Sequence, residues 1–226
     1  MSKIFQFGED VAGYNVRVLN EREIRAAAGI LFVLMFVAIM NAALLGSFTL
    51  LKYAVVIFLT DILIRVFINP KFSPTLILGR LIVRKQVPEY VGAPQKRFAW
   101  IIGIILALTM FVLIVVSNTF SVITGIICMI CLIFLFFETS FGICLGCKVY
   151  PWFSKKEVQY CPGEVCELKD RQEIQKTSMA QFFIVLAFIG YIVLAVMLFD
   201  NHFQQPPVEL FSGKSLQEMQ QQQEVN

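Results

Sequence analysis

Apolar runs of about bilayer-crossing length alternate with polar connectors along the chain. They predict transmembrane helices over 26–45, 48–68, 98–116, 122–141 and 179–199. Asn20 with Glu23 three residues on is a capping-box pattern that opens the first helix from about Arg22. Gly46-Ser47 is a tight turn, Asn69-Pro70 ends the second helix, and Ser117-Asn118-Thr119 is a short turn before the fourth. Ser73-Pro74 reads as an N-cap followed by proline at the first helical position. The helix it opens, 74–85, is too short and too basic to span, with Arg80, Arg84 and Lys85 against Leu76, Ile77, Leu81 and Ile82. It is predicted as an interfacial amphipathic helix on an anionic leaflet. Residues 87–94 carry too many breakers for a helix and read as a fixed loop.

This pattern gives the fold class: an all-α polytopic membrane protein, with a four-helix transmembrane core, a fifth C-terminal span and a short interfacial helix. The expected divisions are an arm over 1–19, a membrane domain over 20–150, a cysteine-containing loop over 151–178, the fifth span, and a disordered Gln- and Pro-rich tail over 200–226. Composition agrees, because a chain 58% hydrophobic and 15% charged cannot bury its apolar side chains in a soluble core of this size. A net charge of +3 is too small to argue for nucleic acid. The first 25 residues are polar and mixed in charge, so no cleavable signal peptide is expected.

Lysine and arginine crowd the arm, the 69–97 connector and the 148–179 loop, while the alternate turns are nearly uncharged. The positive-inside rule then predicts a cytoplasmic (inner) membrane protein with its N-terminus inside, five spans and its C-terminus outside. Lys52 is the exception and is expected to reach the headgroups. Lys96, Arg97 and Trp100 are expected to anchor the third span at the interface.

Besides Lys52, three acidic or basic residues lie inside the apolar runs. Asp61 and Arg65 are four apart and share a helix face. Glu138 lies at similar depth on the fourth span, so a structural polar cluster of Asp61, Arg65 and Glu138 is expected. At 100° per residue Glu138 lies about 120–180° from the directions of Cys144 and Cys147. It faces away from them unless Gly142 or Gly146 breaks the helix.

The candidate chemistry rests on cysteine. Cys128 and Cys131 sit mid-helix and read as small buried hydrophobes. Cys144-x-x-Cys147 and the weaker pair Cys161 and Cys166 fall on the predicted cytoplasmic side, where permanent disulfides are disfavoured. One reading is thiol exchange or sulfur transfer, with Lys148 lowering the thiol pKa. Another is a four-thiolate site for zinc or Cu(I), although the second pair has a wider spacing than usual.

The segments Leu19-Asn20-Glu21-Arg22-Glu23-Ile24-Arg25, Asn69-Pro70-Lys71-Phe72-Ser73-Pro74, Pro88-Glu89-Tyr90-Val91-Gly92-Ala93-Pro94-Gln95-Lys96-Arg97 and Phe141-Gly142-Ile143-Cys144-Leu145-Gly146-Cys147 add a resemblance. Over residues 10–150 the chain resembles a bacterial integral-membrane family of four helices, catalogued as a domain of unknown function. Some relatives are joined to thioredoxin- or rhodanese-like modules, and the resemblance implies thiol or sulfur traffic with such a soluble partner. The loop with Cys161 and Cys166 and the fifth span lie outside it.

Function is therefore expected among three classes: a thiol-redox or sulfur relay, a metal- or sulfur-binding carrier, and an accessory membrane protein without chemistry. No Ser-His-Asp set or phosphate-binding glycine loop is present, and His202, the single histidine, lies in the distal tail. Homo-oligomerisation is left open.

Overall fold

A computed structural model describes residues 6–12, 14, 16–147, 149, 177–211 and 215. Helix α1 (Glu21–Leu45) runs the length of the bundle and ends where Gly46 turns at φ 64°, a conformation that favours glycine. Helix α2 (Thr49–Leu63) continues as a π turn, Ile64–Ile68. A 3-10 turn (Pro70–Phe72) leads to α3 (Pro74–Val83). Helix α4 (Ala93–Met110) and α5 (Val122–Phe136) also end in π turns, Phe111–Val116 and Phe137–Phe141. Helix α6 spans Met179–Phe203.

Helices Glu21–Leu45, Ala93–Val116, Val122–Phe141 and Met179–Phe203 are long and apolar enough to cross a membrane. The α2 run is as long but carries Lys52, Asp61 and Arg65, all buried. Much of the apolar surface of α4, α5 and α6 faces outward, as lipid-facing helices require. The chain is an all-α polytopic membrane protein.

Two short ladders tie the ends of the bundle. Strand β1 (Val18–Asn20) pairs antiparallel with β2 (Tyr90–Gly92), bringing the starts of α1 and α4 side by side. The Pro- and Gly-containing stretch is thus an extended strand, followed by a helix that begins five residues before the hydrophobic run. Pro94 does not oppose this, because a proline in the first turn gives up no helical hydrogen bond. At the opposite end β3 (Thr119–Phe120) pairs with β4 (Val208–Glu209). Residues 200–211 are therefore structured rather than disordered, and α6 continues through Phe203. Lys52 explains part of this. Its Nζ donates to the carbonyls of Phe203 (3.3 Å) and Gln205 (2.7 Å), capping α6 instead of reaching headgroups. His202 adds a 2.8 Å bond to the Val115 carbonyl.

The predicted caps form, with one change. Asn20 accepts from the Arg22 amide, and Ser73 accepts from that of Leu76. Glu23, however, does not close the box on the backbone. It accepts from the Asn20 side chain at 3.0 Å and pairs with Arg80 of α3 at 3.1 Å, both partners buried. Arg80 thus points into the bundle, while Leu78, Leu81, Ile82, Arg84 and Lys85 remain exposed. Helix α3 lies against α1 backbone to backbone. A Cβ on Gly79 would stand 2.6 Å from the Glu23 carbonyl oxygen and 3.1 Å from the Ala27 nitrogen. Gly79→Ala is accordingly expected to cost about 1–3 kcal/mol through forced separation of the two helices. Thermal melting in detergent measures it, and an unchanged melt would mean the contact is slack.

Candidate thiol site

Alternating bonds fix the first polar node. Asp61, fully buried, accepts from Arg65 Nε (2.8 Å), Ser73 Oγ (2.8 Å), the Thr75 amide (3.0 Å) and Thr75 Oγ1 (2.7 Å). The Arg65 guanidinium also lies 5.2 Å from the Trp100 ring centroid. Every carboxylate lone-pair direction is used, which is what makes a buried charge tolerable. Asp61 and Arg65 thus meet as their spacing predicts. Glu138 does not join them.

Glu138 belongs to a second node. Lys96, only 1% exposed, donates to Glu138 at 2.5 Å and lies 2.8 Å from Glu21, the first residue of α1. One cation is shared by two carboxylates contributed by α1 and by the π turn after α5. Lys96 and Trp100 are therefore core residues rather than interface anchors. The β1–β2 ladder is the reason: it sets the first turn of α4 beside that of α1.

The thiols adjoin this second node. Gly142 adopts φ 66° and ends the π turn, with its N–H bonded to the Glu138 carbonyl at 3.2 Å. The chain then reverses, and Gly146 comes so close to α4 that a Cβ would lie 2.7 Å from that of Ala99. The helix break allowed by Gly142 thus occurs, and Glu138 and Cys144 line the same cavity. That cavity holds about 80 Å³ between α1, α2, α4 and α5, room for a few waters or a ligand of a few heavy atoms. Its walls are mostly apolar, with Arg65, Glu138, Cys131 and Cys144 as the reactive or polar groups.

Cys144 is half-buried and Cys147 buried, and both are free thiols. The Cys147 amide donates to Cys144 Sγ at 3.3 Å. The Cys144 thiol is held well above its ordinary range, first by its hydrogen bond with the Cys147 side chain and next by burial. Lys96 pulls the other way, and Glu138 adds to the rise. Among the described residues the cation that acts on the Cys144 thiol is Lys96. Lys148 lies outside the described residues, as do Cys161 and Cys166. Among the described residues no three His, Cys, Asp or Glu side chains gather as metal ligands. Cys128 and Cys131 are buried along α5.

A family model described as Domain of unknown function (DUF4395) matches residues 19–155. No curated protein and no solved structure matches the chain. The matched span contains both polar nodes, the cavity and the Cys144/Cys147 pair, and ends before α6.

Proposed function

The chain belongs to the DUF4395 family, and we propose that its bundle carries a dithiol centre, Cys144 and Cys147, that exchanges electrons with a soluble thioredoxin-like protein. The observation that supports this most is the meeting of two free thiols at one end of the bundle, beside a buried cation and a cavity. The same end carries the arm and the 69–97 connector, and their excess of lysine and arginine supports reading it as the cytoplasmic side of an inner membrane.

The step balances as a thiol–disulfide exchange. Cys144, the less buried of the two, loses a proton and attacks one sulfur of the partner's disulfide. A mixed disulfide forms and one partner thiolate leaves. Cys147 then loses its proton and attacks the Cys144 sulfur, closing an internal disulfide and releasing the second partner thiolate. Two electrons and two protons pass to the partner in total, and the direction follows the two potentials. At rest the site is shut, because the neutral thiol is a poor nucleophile. Lys96 supplies the positive charge that a thiolate needs, but two carboxylates already share it.

Glu138→Gln tests that arrangement. Removing one of the carboxylates frees Lys96 to favour the thiolate, so the pH profile of Cys144 alkylation should move toward lower pH. At neutral pH the rate should rise on the order of tenfold, the scale of one buried charge acting across a few ångströms. An unmoved profile would separate Glu138 from the thiol.

The partner reading has its own test. Cys147→Ser should trap a mixed disulfide on Cys144, and Cys144→Ser should abolish it. An unchanged trapping pattern would sink the redox reading. A persulfide on Cys144 in mass spectra would make the pair a sulfur carrier instead, and stoichiometric zinc or copper would make it a metal site with Cys161 and Cys166 as further ligands.

A further inference from the structure

We propose that the groove between the N-terminal arm and the first turns of α4 binds an anionic phospholipid, with its phosphate between Arg17 and Arg97 and an acyl chain along the outer face of α4. The groove holds about 590 Å³ and is lined by Phe7, Val16, Arg17, Arg97, Phe98 and Ile101 among others. That volume is in the range of ligand sites.

Its walls are fixed. The Phe7 ring packs edge-on against Trp100 at 5.5 Å, and Arg97 lies 5.6 Å from the Phe7 centroid. The Arg17 carbonyl accepts from the Ala93 amide at 2.9 Å, joining the arm to α4.

Charge selects the ligand. At this end Arg22 pairs with Glu89, Arg80 with Glu23, Lys71 with Glu9, and Lys96 with Glu21 and Glu138. Among the described residues Arg17 meets only Asp10, at 3.3 Å, and that aspartate is 74% exposed. Such a surface pair is weak and yields to a phosphate. Arg97 is exposed, with its guanidinium over Phe7 rather than in any of the carboxylate pairs above. Two cations against one exposed carboxylate leave the groove positive.

Apolar surface selects a lipid over a free anion. Below the arginines Ile101, Ile105 and Leu108 are exposed at spacings of four and three, one stripe of α4, and Val112 in the π turn that follows is exposed as well. A chain leaving a phosphate held by Arg17 and Arg97 would run down that stripe.

The test uses the full chain in nanodiscs of equal phosphatidylglycerol and phosphatidylcholine, read by native mass spectrometry after mild detergent washing. The wild type should retain one phosphatidylglycerol in preference to phosphatidylcholine. R17Q/R97Q should lose that preference by about 25-fold, taking about fivefold per interfacial cation. R84Q/K85Q, which alters exposed cations elsewhere at the same end, should keep it. If the double variant fails to fold, R97Q alone should show the fivefold step. Equal retention of both lipids by the wild type, unchanged retention in R17Q/R97Q, or displacement of the lipid by inorganic phosphate would each overturn the proposal.

Discussion

Asp61→Ala is expected to be among the most damaging single changes in the chain, lowering stability by about 3–5 kcal/mol. Among the described residues the variant leaves the buried Arg65 guanidinium with Ser73, Thr75 and the Trp100 face as its remaining partners. It also strips the Thr75 amide of its acceptor at the start of α3. Asp61→Asn should cost less, because an amide oxygen still accepts. Asp61→Leu combined with Arg65→Leu should recover part of the loss, since removing both charges of a buried pair is milder than removing one. Unfolding in mixed micelles measures all three. A D61A protein within about 1 kcal/mol of the wild type would mean that Arg65 is solvated through the cavity.

Lys96→Met is the second. It takes the cation away from Glu21 and Glu138 and leaves two carboxylates to face each other in the core. The expected loss is again about 3–5 kcal/mol. The diagnostic is rescue: Glu21→Gln with Glu138→Gln in the same chain should restore most of it, because a methionine beside two amides has no unpaired charge to bury. A Lys96→Met protein that is not rescued would assign the loss to packing of the lysine stem. The triple variant would also lack the charges that act on Cys144, so its thiol should titrate independently of both nodes.

The sequence made the two nodes visible to different degrees. Asp61 and Arg65 could be paired because they lie on one helix at a spacing of four, and an ideal α-helix holds across that interval. Glu138 could not be placed the same way. At 100° per residue it faces away from the thiols, but residues 137–141 form a π turn and Gly142 then turns left-handed. Both departures rotate Cys144 toward Glu138, and only the glycine was legible as a place where this could happen. The burial of Lys96 is not legible, because Lys-Arg-Phe-Ala-Trp before an apolar run resembles an interface belt. What buries it is a three-residue ladder, too short to announce itself by alternation. Arg80 and Lys52 misled for a related reason. A cation near a helix end is usually solvated, and nothing in the local sequence shows that an acid or a helix terminus from 57 or 151 residues away will meet it. The spans were legible because length and apolarity carry them without knowledge of neighbours.

The separations within the two nodes have a consequence for how the chain enters the bilayer. Helix α2, with Lys52, Asp61 and Arg65, would be a poor candidate for release into lipid by the translocon, at a cost of about 2.5–3.5 kcal/mol for each charge near the centre of a span. Yet Asp61 and Arg65 neutralise each other, and the Ser73 and Thr75 groups that complete their hydrogen bonds lie only 8 to 14 residues further along. They emerge almost at once, so α2 can leave as a hairpin with α3, its Asp61 and Arg65 already satisfied, while Lys52 waits for the Phe203 and Gln205 carbonyls. Lys96 waits too: Glu21 precedes it by 75 residues and Glu138 follows it by 42. The first node is therefore an insertion intermediate's own property, whereas the thiol centre cannot assemble until α5 has been synthesised and the finished helices have found one another sideways in the membrane.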